Sequence, residues 1–219
     1  MTHDEWARPV VWVTGAGNGI GRAVALAFAD HGDMVVVTDI NEPAVKTTLA
    51  LIDQADGRAA RYCHDVADLE SWRSLTARIN AECGVPDTLL NCAEIPSASA
   101  PLTSSANHRR GTVEEFDGVL GGSRIVGEIM AEHYGTGRIL NVAATSAWLP
   151  DQHTTTRDAA TSTVLTLTEL MRIELSAHGI QVSAVCPDRV HPALPGRGSR
   201  FGCAEEVECR GVRKGQQGG

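Results

Sequence analysis

The segment that decides the fold is the strand-like run Val10-Val-Trp-Val-Thr14 followed by Gly15-Ala-Gly-Asn-Gly-Ile-Gly21. The β-branched run predicts a buried strand, and the apolar residues that recur at helical spacing after the glycines predict a helix. A glycine-rich turn between a strand and a helix is typical of a phosphate site. Its glycines let a pyrophosphate approach the backbone, and the free N–H groups at the helix start attract negative charge.

Strand and helix patterns alternate along most of the chain. Strands are predicted at 10–14, 34–37, 59–63, 88–91, 139–143 and 180–185, and helices at 20–31, 41–55, 69–81, 113–134 and 158–177. We expect the helix at 113–134 to be interrupted by Gly118, Gly121 and Gly122, and residues 94–111 to form a long surface loop. The alternation predicts an α/β fold with a Rossmann-like, doubly wound parallel sheet of about six strands in a three-layer αβα arrangement. Residues 1–195 form this domain, and residues 196–219 are expected to be a flexible, glycine-rich tail.

Composition excludes several classes of partner. The chain has 219 residues, with 19 Lys and Arg against 27 Asp and Glu, and the net charge of -8 repels nucleic acids and anionic membranes. The N-terminus shows no signal-peptide pattern and no run of about 18 apolar residues occurs, so we expect a cytoplasmic protein. The six cysteines are scattered at irregular spacing and are expected to be free thiols, with no metal site.

Two carboxylates extend the phosphate-loop hypothesis to a dinucleotide. Asp39 ends the second predicted strand, 24 residues after Gly15. A carboxylate there accepts hydrogen bonds from both adenosine ribose hydroxyls and repels a 2'-phosphate, which favours NAD over NADP. Asp65 follows the third strand, where it can accept from the adenine amino group. The alternatives are that Asp39 caps the following helix beside a plain tight turn, and that Asp65 caps its own following helix.

These motifs resemble those of the short-chain dehydrogenase/reductase family over residues 9–195. The family's glycine pattern is matched by Thr14, Gly15, Gly19 and Gly21, its acidic selector by Asp39, its Asp-Val pair by Asp65-Val66, and its Gly-x-x-x-Asn by residues 137–141. Its Asn-Asn-Ala-Gly motif is here Asn91-Cys92-Ala93-Glu94, so an anion replaces a glycine beside the cofactor channel. The resemblance implies cofactor contacts at Gly15, Gly17, Asn18, Gly19, Ile20, Gly21, Asp39, Ile40, Asp65, Val66, Asn91 and Ala93.

The family's catalytic serine, tyrosine, lysine and asparagine are not conserved in this chain. The resemblance places Ala144 at the serine, Arg157 at the tyrosine and Thr161 at the lysine, and the asparagine is missing or replaced by Ser123. Between 117 and 137 the chain is also about two helical turns shorter than usual for the family. With only two tyrosines and two lysines, it contains no Tyr-x-x-x-Lys motif. Without that pair, the family's proton transfer to the substrate oxygen has no donor of suitable pKa.

Substitutes for this chemistry are few. Arg157 stays protonated near neutral pH and is expected to pair with Asp158 or Asp151 on a solvated loop. His153 titrates near neutral pH and is a weak candidate acid, and Cys92 is expected to be a small buried residue. Ser146, two residues from the serine position, is not expected to reach the substrate.

Three hypotheses for function follow. The first is an NAD(H)-binding protein that has lost the proton relay and acts as a non-catalytic subunit or regulator, with weakened affinity for the cofactor. The second is a working NAD-dependent oxidoreductase of a secondary alcohol or ketone with an atypical acid. The third is a poorly folding, decayed gene product. The resemblance also implies that the chain forms a homo-oligomer, or a hetero-oligomer with a related chain. No strand pattern after residue 187 corresponds to the family's last strand.

Overall fold

The computed structural model describes residues 8–94, 107–148 and 155–187. Its strands are β1 (Val10–Val13), β2 (Met34–Asp39), β3 (Arg58–Cys63), β4 (Thr88–Asn91), β5 (Gly137–Val142) and β6 (Ile180–Val185). Its helices are α1 (Gly19–His31), α2 (Glu42–Gln54), α3 (Leu69–Glu82), α4 (Asn107–Tyr134) and α5 (Thr155–Ser176), with a short 3-10 turn at Thr145–Ala147.

The strands form one parallel sheet in the order β3-β2-β1-β4-β5-β6. This confirms the predicted doubly wound α/β fold with six strands. The order reverses between β1 and β4, where Val13 lies opposite Leu90. In open parallel sheets the crevice at such a reversal, beyond the carboxyl ends of the strands, is where ligands bind.

Two apolar cores, one on each face of the sheet, account for the three layers. Alternate residues of β1 point to opposite faces, so Trp12 belongs to one core while Val11 and Val13 belong to the other. The Trp12 core is closed by α3, α4 and α5. The opposite core is closed by α1 and α2. β1 is therefore covered on both sides, as its continuous β-branched sequence predicted.

Two predictions about the helices were wrong. The glycines do not interrupt α4, which runs unbroken from Asn107, so residues 107–111 are helical and do not belong to the expected loop. A Cβ on Gly122 would lie 2.5 Å from Cη2 of Trp72, so this glycine gives room for the indole of α3. The second error concerns α5, which begins at Thr155. Asp158 is only 5% exposed and does not lie on a solvated loop.

Some predictions fall on residues that the structure does not describe. These are His153, Asp151, the tail at 196–219 and any strand after β6. Within the described ranges, no helix is both long enough and apolar enough to cross a membrane.

Candidate dinucleotide-binding site

The glycine loop after β1 is tied to the loop after β4. Gly15 has φ of 62°, and a Cβ there would lie 2.7 Å from Cα of Ala93, so only glycine fits this crossing. The Thr14 hydroxyl accepts hydrogen bonds from the backbone N–H groups of Cys92 (3.1 Å) and Ala93 (3.2 Å). The two loops that flank the crevice are thus held together before any ligand arrives.

The start of α1 is open to an anion. Asn18 is the N-cap residue but makes no side-chain capping hydrogen bond. Its Oδ1 instead accepts from the Arg22 guanidinium (3.1 Å), which also donates to the carbonyl oxygen of Gly17. A Cβ on Gly19 would meet nothing within 4 Å, and Ile20 and Gly21 continue the first turn. Uncapped N–H groups beside open space are the arrangement that binds a pyrophosphate.

Asp39 fastens the glycine loop from the end of β2. Its Oδ2 accepts from the N–H of Gly17 (3.0 Å) and its Oδ1 from the N–H of Asn41 (2.9 Å). The N-cap of α2 is Asn41, whose side chain accepts from the N–H of Ala44, so the interpretation of Asp39 as a helix cap is wrong. A carboxylate has about four acceptor sites. Both oxygens of Asp39 therefore keep capacity for ribose hydroxyls.

The side of the crevice expected to hold adenine is formed by the ends of β2 and β3. Ile40 is 67% exposed directly after Asp39, which leaves an apolar surface that a base can cover. Asp65 accepts from the N–H of Ala67 (3.0 Å), while the N-cap of α3 is Asp68. The alternative that Asp65 caps α3 is therefore wrong. Val66, the other predicted contact in this loop, is half-buried.

Asn91 is directed into the protein. It is 4% exposed, and its amide nitrogen donates to Oδ1 of Asn141 (2.8 Å) and to Oγ of Ser123 (3.0 Å). Asn141 in turn donates to Oγ1 of Thr168 (2.9 Å). Sequence reasoning missed this buried network across β4, β5, α4 and α5. The available signal was one asparagine in each of two predicted strands, Asn91 at the end of one and Asn141 inside the other, and the structure places the two at one register position.

The positions aligned with the family's proton relay carry no acid or base in the part whose side chains are described. Ala144 follows β5 and is half-buried, and Thr161 is 5% exposed in α5. Arg157 lies in the first turns of α5, and its side chain is outside the described part. From the sequence, Ser146 is not expected to replace the family's catalytic serine. Its Oγ is buried without a hydrogen-bond partner within the ranges that the structure covers.

Tyr62 and Lys46 are engaged in contacts away from the aligned proton-relay positions. The Tyr62 hydroxyl donates to Oε2 of Glu82 on α3 (2.7 Å), and burial raises its pKa. Lys46 pairs with Glu42 on α2 (2.8 Å). Burial raises the pKa of the Cys92 thiol to about 12, so this cysteine is not a nucleophile at neutral pH.

Comparison with known proteins identifies the family. The model of the short chain dehydrogenase family matches residues 9–196. The chain belongs to the short-chain dehydrogenase family. The probable oxidoreductase EphD of Mycobacterium tuberculosis is 37% identical over 179 residues, which cover 81% of this chain and 30% of EphD. The cis-4-hydroxycyclohexanecarboxylate dehydrogenase of Sinomonas cyclohexanicum is 35% identical, over 84% of this chain and 74% of that enzyme.

Two solved dehydrogenases with bound nicotinamide cofactors have the same fold. An NAD+-bound xylitol dehydrogenase superposes with a TM-score of 0.81 at 25% identity, covering 87% of this chain and 74% of that one. A gluconate 5-dehydrogenase from Burkholderia cenocepacia, in complex with NADP and tartrate, gives 0.76 at 26% identity, covering 82% and 71%. These neighbours support a nicotinamide cofactor in this chain.

Proposed function

We propose that this short-chain dehydrogenase binds NAD(H) but has lost the family's proton relay, and that it acts as a non-catalytic subunit or regulator. One contrast carries the proposal. The glycine loop is held by Thr14 and Asp39 in a form ready for a dinucleotide, whereas Ala144 and Thr161 occupy positions where the resemblance requires a hydroxyl donor and an ammonium group.

The proposed cofactor contacts follow from the loops described above. The open start of α1 at Gly19–His31 would hold the pyrophosphate, and Asp39 would accept from the ribose hydroxyls and exclude a 2'-phosphate. Ile40 and the Asp65-Val66 pair would border the adenine. NAD supplies a hydride acceptor when it is bound. Glu94, which replaces the family's glycine, places a carboxyl group beside the channel and is expected to weaken binding.

The missing relay sets the expected activity. A positioned general acid increases the rate by a factor of about 10² to 10⁴, and an oxyanion donor increases it by a factor of about 10² to 10³. Loss of both raises the barrier by about 5 to 10 kcal/mol, at 1.36 kcal/mol for each decade. Turnover is therefore expected to fall below about 1 per second, the low end of ordinary enzymes.

Two measurements on the purified chain test the proposal. Calorimetric titration should show that NADH binds more tightly than NADPH. Thermal unfolding should be cooperative, and NADH should raise its midpoint temperature. The same sample should oxidise secondary alcohols with NAD at well under about 1 per second. Ordinary turnover would refute the non-catalytic assignment. Absence of a cooperative transition would favour a poorly folding, decayed product instead.

A second candidate is a working NAD-dependent oxidoreductase of a secondary alcohol or ketone. The observation that favours it is the family of named enzymes to which the chain is similar, including the cis-4-hydroxycyclohexanecarboxylate dehydrogenase. His153 would then be the acid. If turnover is found, His153→Ala should reduce it by about 10² or more, as for loss of a general acid. Full activity in that variant would exclude His153.

A further inference from the structure

Arg22, in the first turn of α1, is bonded to three surrounding groups. Its Nε donates to Oγ1 of Thr48 on α2 (3.0 Å), and its Nη2 donates to the carbonyl oxygen of Gly17 and to Oδ1 of Asn18 (3.1 Å). Thr48 is fully buried and donates in turn to the carbonyl oxygen of Ala16 (2.9 Å). The guanidinium is therefore fixed by α2 and by the loop backbone, and these two anchors do not involve the Asn18 side chain.

Asn18 has the backbone conformation of a helix-capping residue without the capping bond. Its φ of -151° and ψ of 175° are extended, as is usual at an N-cap, and asparagine is among the residues that cap helices best. A capping Oδ1 would accept from the backbone N–H of Ile20 or Gly21, the second and third residues of α1. Instead, that oxygen accepts from Arg22.

Capping by Asn18 and binding of a pyrophosphate exclude each other, because both use the same N–H groups at the start of α1. An asparagine cap corresponds to about a fivefold change in an equilibrium constant. A charged donor makes a stronger hydrogen bond than a neutral one. The Arg22 guanidinium therefore outcompetes the backbone N–H groups for the Asn18 oxygen.

We propose that Arg22 is a positioning residue of the dinucleotide site, which holds the Asn18 side chain away from the start of α1 and so keeps its N–H groups available to the pyrophosphate. Arg22 acts through Asn18, and this role requires no contact between Arg22 and the cofactor. The inference rests on the proposed function, since it concerns the site assigned to NAD(H). It deepens that proposal by naming the side chain that prevents the protein from capping its own phosphate site.

A double-mutant cycle between Arg22 and Asn18 tests this role by calorimetric titration with NADH. Arg22→Met should weaken NADH binding about fivefold, because Asn18 is then free to cap α1. In the Asn18→Ala background the same Arg22→Met change should alter the affinity by less than about twofold. A residue that only stabilised the loop would weaken binding equally in both backgrounds.

Amide hydrogen exchange measured by NMR gives a second readout that needs no cofactor. The N–H of Ile20 or of Gly21 should exchange about fivefold more slowly in Arg22→Met than in the wild type, because Asn18 then covers it. The wild-type rate should return in the double variant Arg22→Met/Asn18→Ala.

Two further variants separate positioning from charge. Arg22→Lys keeps the positive charge but lacks the planar fork that reaches Thr48 and Asn18 together, so it should weaken NADH binding as Arg22→Met does. Arg172→Met removes an equal charge from α5, which packs on the opposite face of the sheet from α1. It should change the affinity by less than about twofold, because distant charges are screened.

Three results would overturn the positioning role while the proposed function stands, provided that the wild type binds NADH. They are wild-type affinity in Arg22→Lys, equal weakening by Arg22→Met in both backgrounds, and unchanged exchange of both amides in Arg22→Met. A wild type that binds no NADH would remove the dinucleotide site, and the role of Arg22 with it. Ordinary turnover in the wild type would instead remove the non-catalytic assignment alone.

Discussion

A fall in pH from 7 to 5 should destabilise this protein through His64. The side chain is 4% exposed, and its ring packs edge-on against Trp72 with centroids 4.5 Å apart. Nδ1 lies 3.0 Å from Oγ of Ser71, while Nε2 is buried with no hydrogen-bond partner in the described ranges. Burial lowers the pKa of His64 to about 4, against an ordinary value of 6.5, and Asp65 and Asp68 offset this only in part.

The sign and size of the effect follow from proton linkage. Between pH 6.5 and about 4, His64 is protonated in the unfolded chain but neutral in the folded chain. The free energy of unfolding therefore decreases as the pH falls through this window. At pH 5 the unfolded imidazole is almost fully protonated and the folded one almost fully neutral. Relative to pH 7, the free energy of unfolding should decrease by about 2 kcal/mol from this residue alone.

Urea unfolding at pH 7, 6 and 5 measures this contribution. In His64→Phe, which keeps an aromatic ring at the site, the loss between pH 7 and 5 should be about 2 kcal/mol smaller than in the wild type. The Ser71 hydroxyl still donates to the carbonyl oxygen of Asp68 (2.8 Å) in that variant. His178→Phe, at an exposed position, is the control and should follow the wild type. An unchanged pH dependence in His64→Phe would refute the assignment.

Three further predictions concern other parts of the molecule. Asp39→Asn should reduce the preference for NADH over NADPH by about tenfold or more in calorimetric titrations, and an unchanged ratio would show that another group selects the cofactor. Gly122→Ala should cost about 1 to 3 kcal/mol in urea unfolding, because its methyl group would lie 2.5 Å from the Trp72 ring. Gly127→Ala, whose methyl group would be 3.6 Å from its nearest side chain, should be neutral or stabilising. The number of thiols that react rapidly with a disulfide reagent at pH 8 should be the same in Cys92→Ser as in the wild type, because the raised pKa of Cys92 keeps its thiol protonated.

Local patterns predicted most of the elements because their causes are local. The run 88–91 and the run 180–185 match β4 and β6 at both ends, since each is a short segment with apolar residues set between turn residues. Asp68, the residue directly before the helical pattern at 69–81, is the N-cap of α3. The unbroken course of α4 was not predicted, because its cause is tertiary packing and not local sequence. Glycine disfavours a helix by local propensity, but here Gly122 allows α3 and α4 to approach, and tertiary packing outweighs propensity.

In the candidate site, too, some features could be predicted from local sequence and others could not. Its loops could be predicted because the glycines and Asp39 follow strand ends, and the carboxyl ends of parallel strands meet at one edge of the sheet. The inward bonds of Asn91 to Asn141 and Ser123 could not, because they join segments 50 and 32 residues apart in the chain.

The sequence by itself determined the family resemblance, the glycine loop with its acidic partner, and the lack of a Tyr-x-x-x-Lys pair, because no folding can supply residues that the chain does not contain. Only the tertiary structure decided that Asn41 caps α2 while Asp39 holds the glycine loop, and that Asn91 bonds inward to Asn141 and Ser123. Those features are contacts between side chains brought together from distant parts of the chain, and they depend on how the helices pack on the sheet.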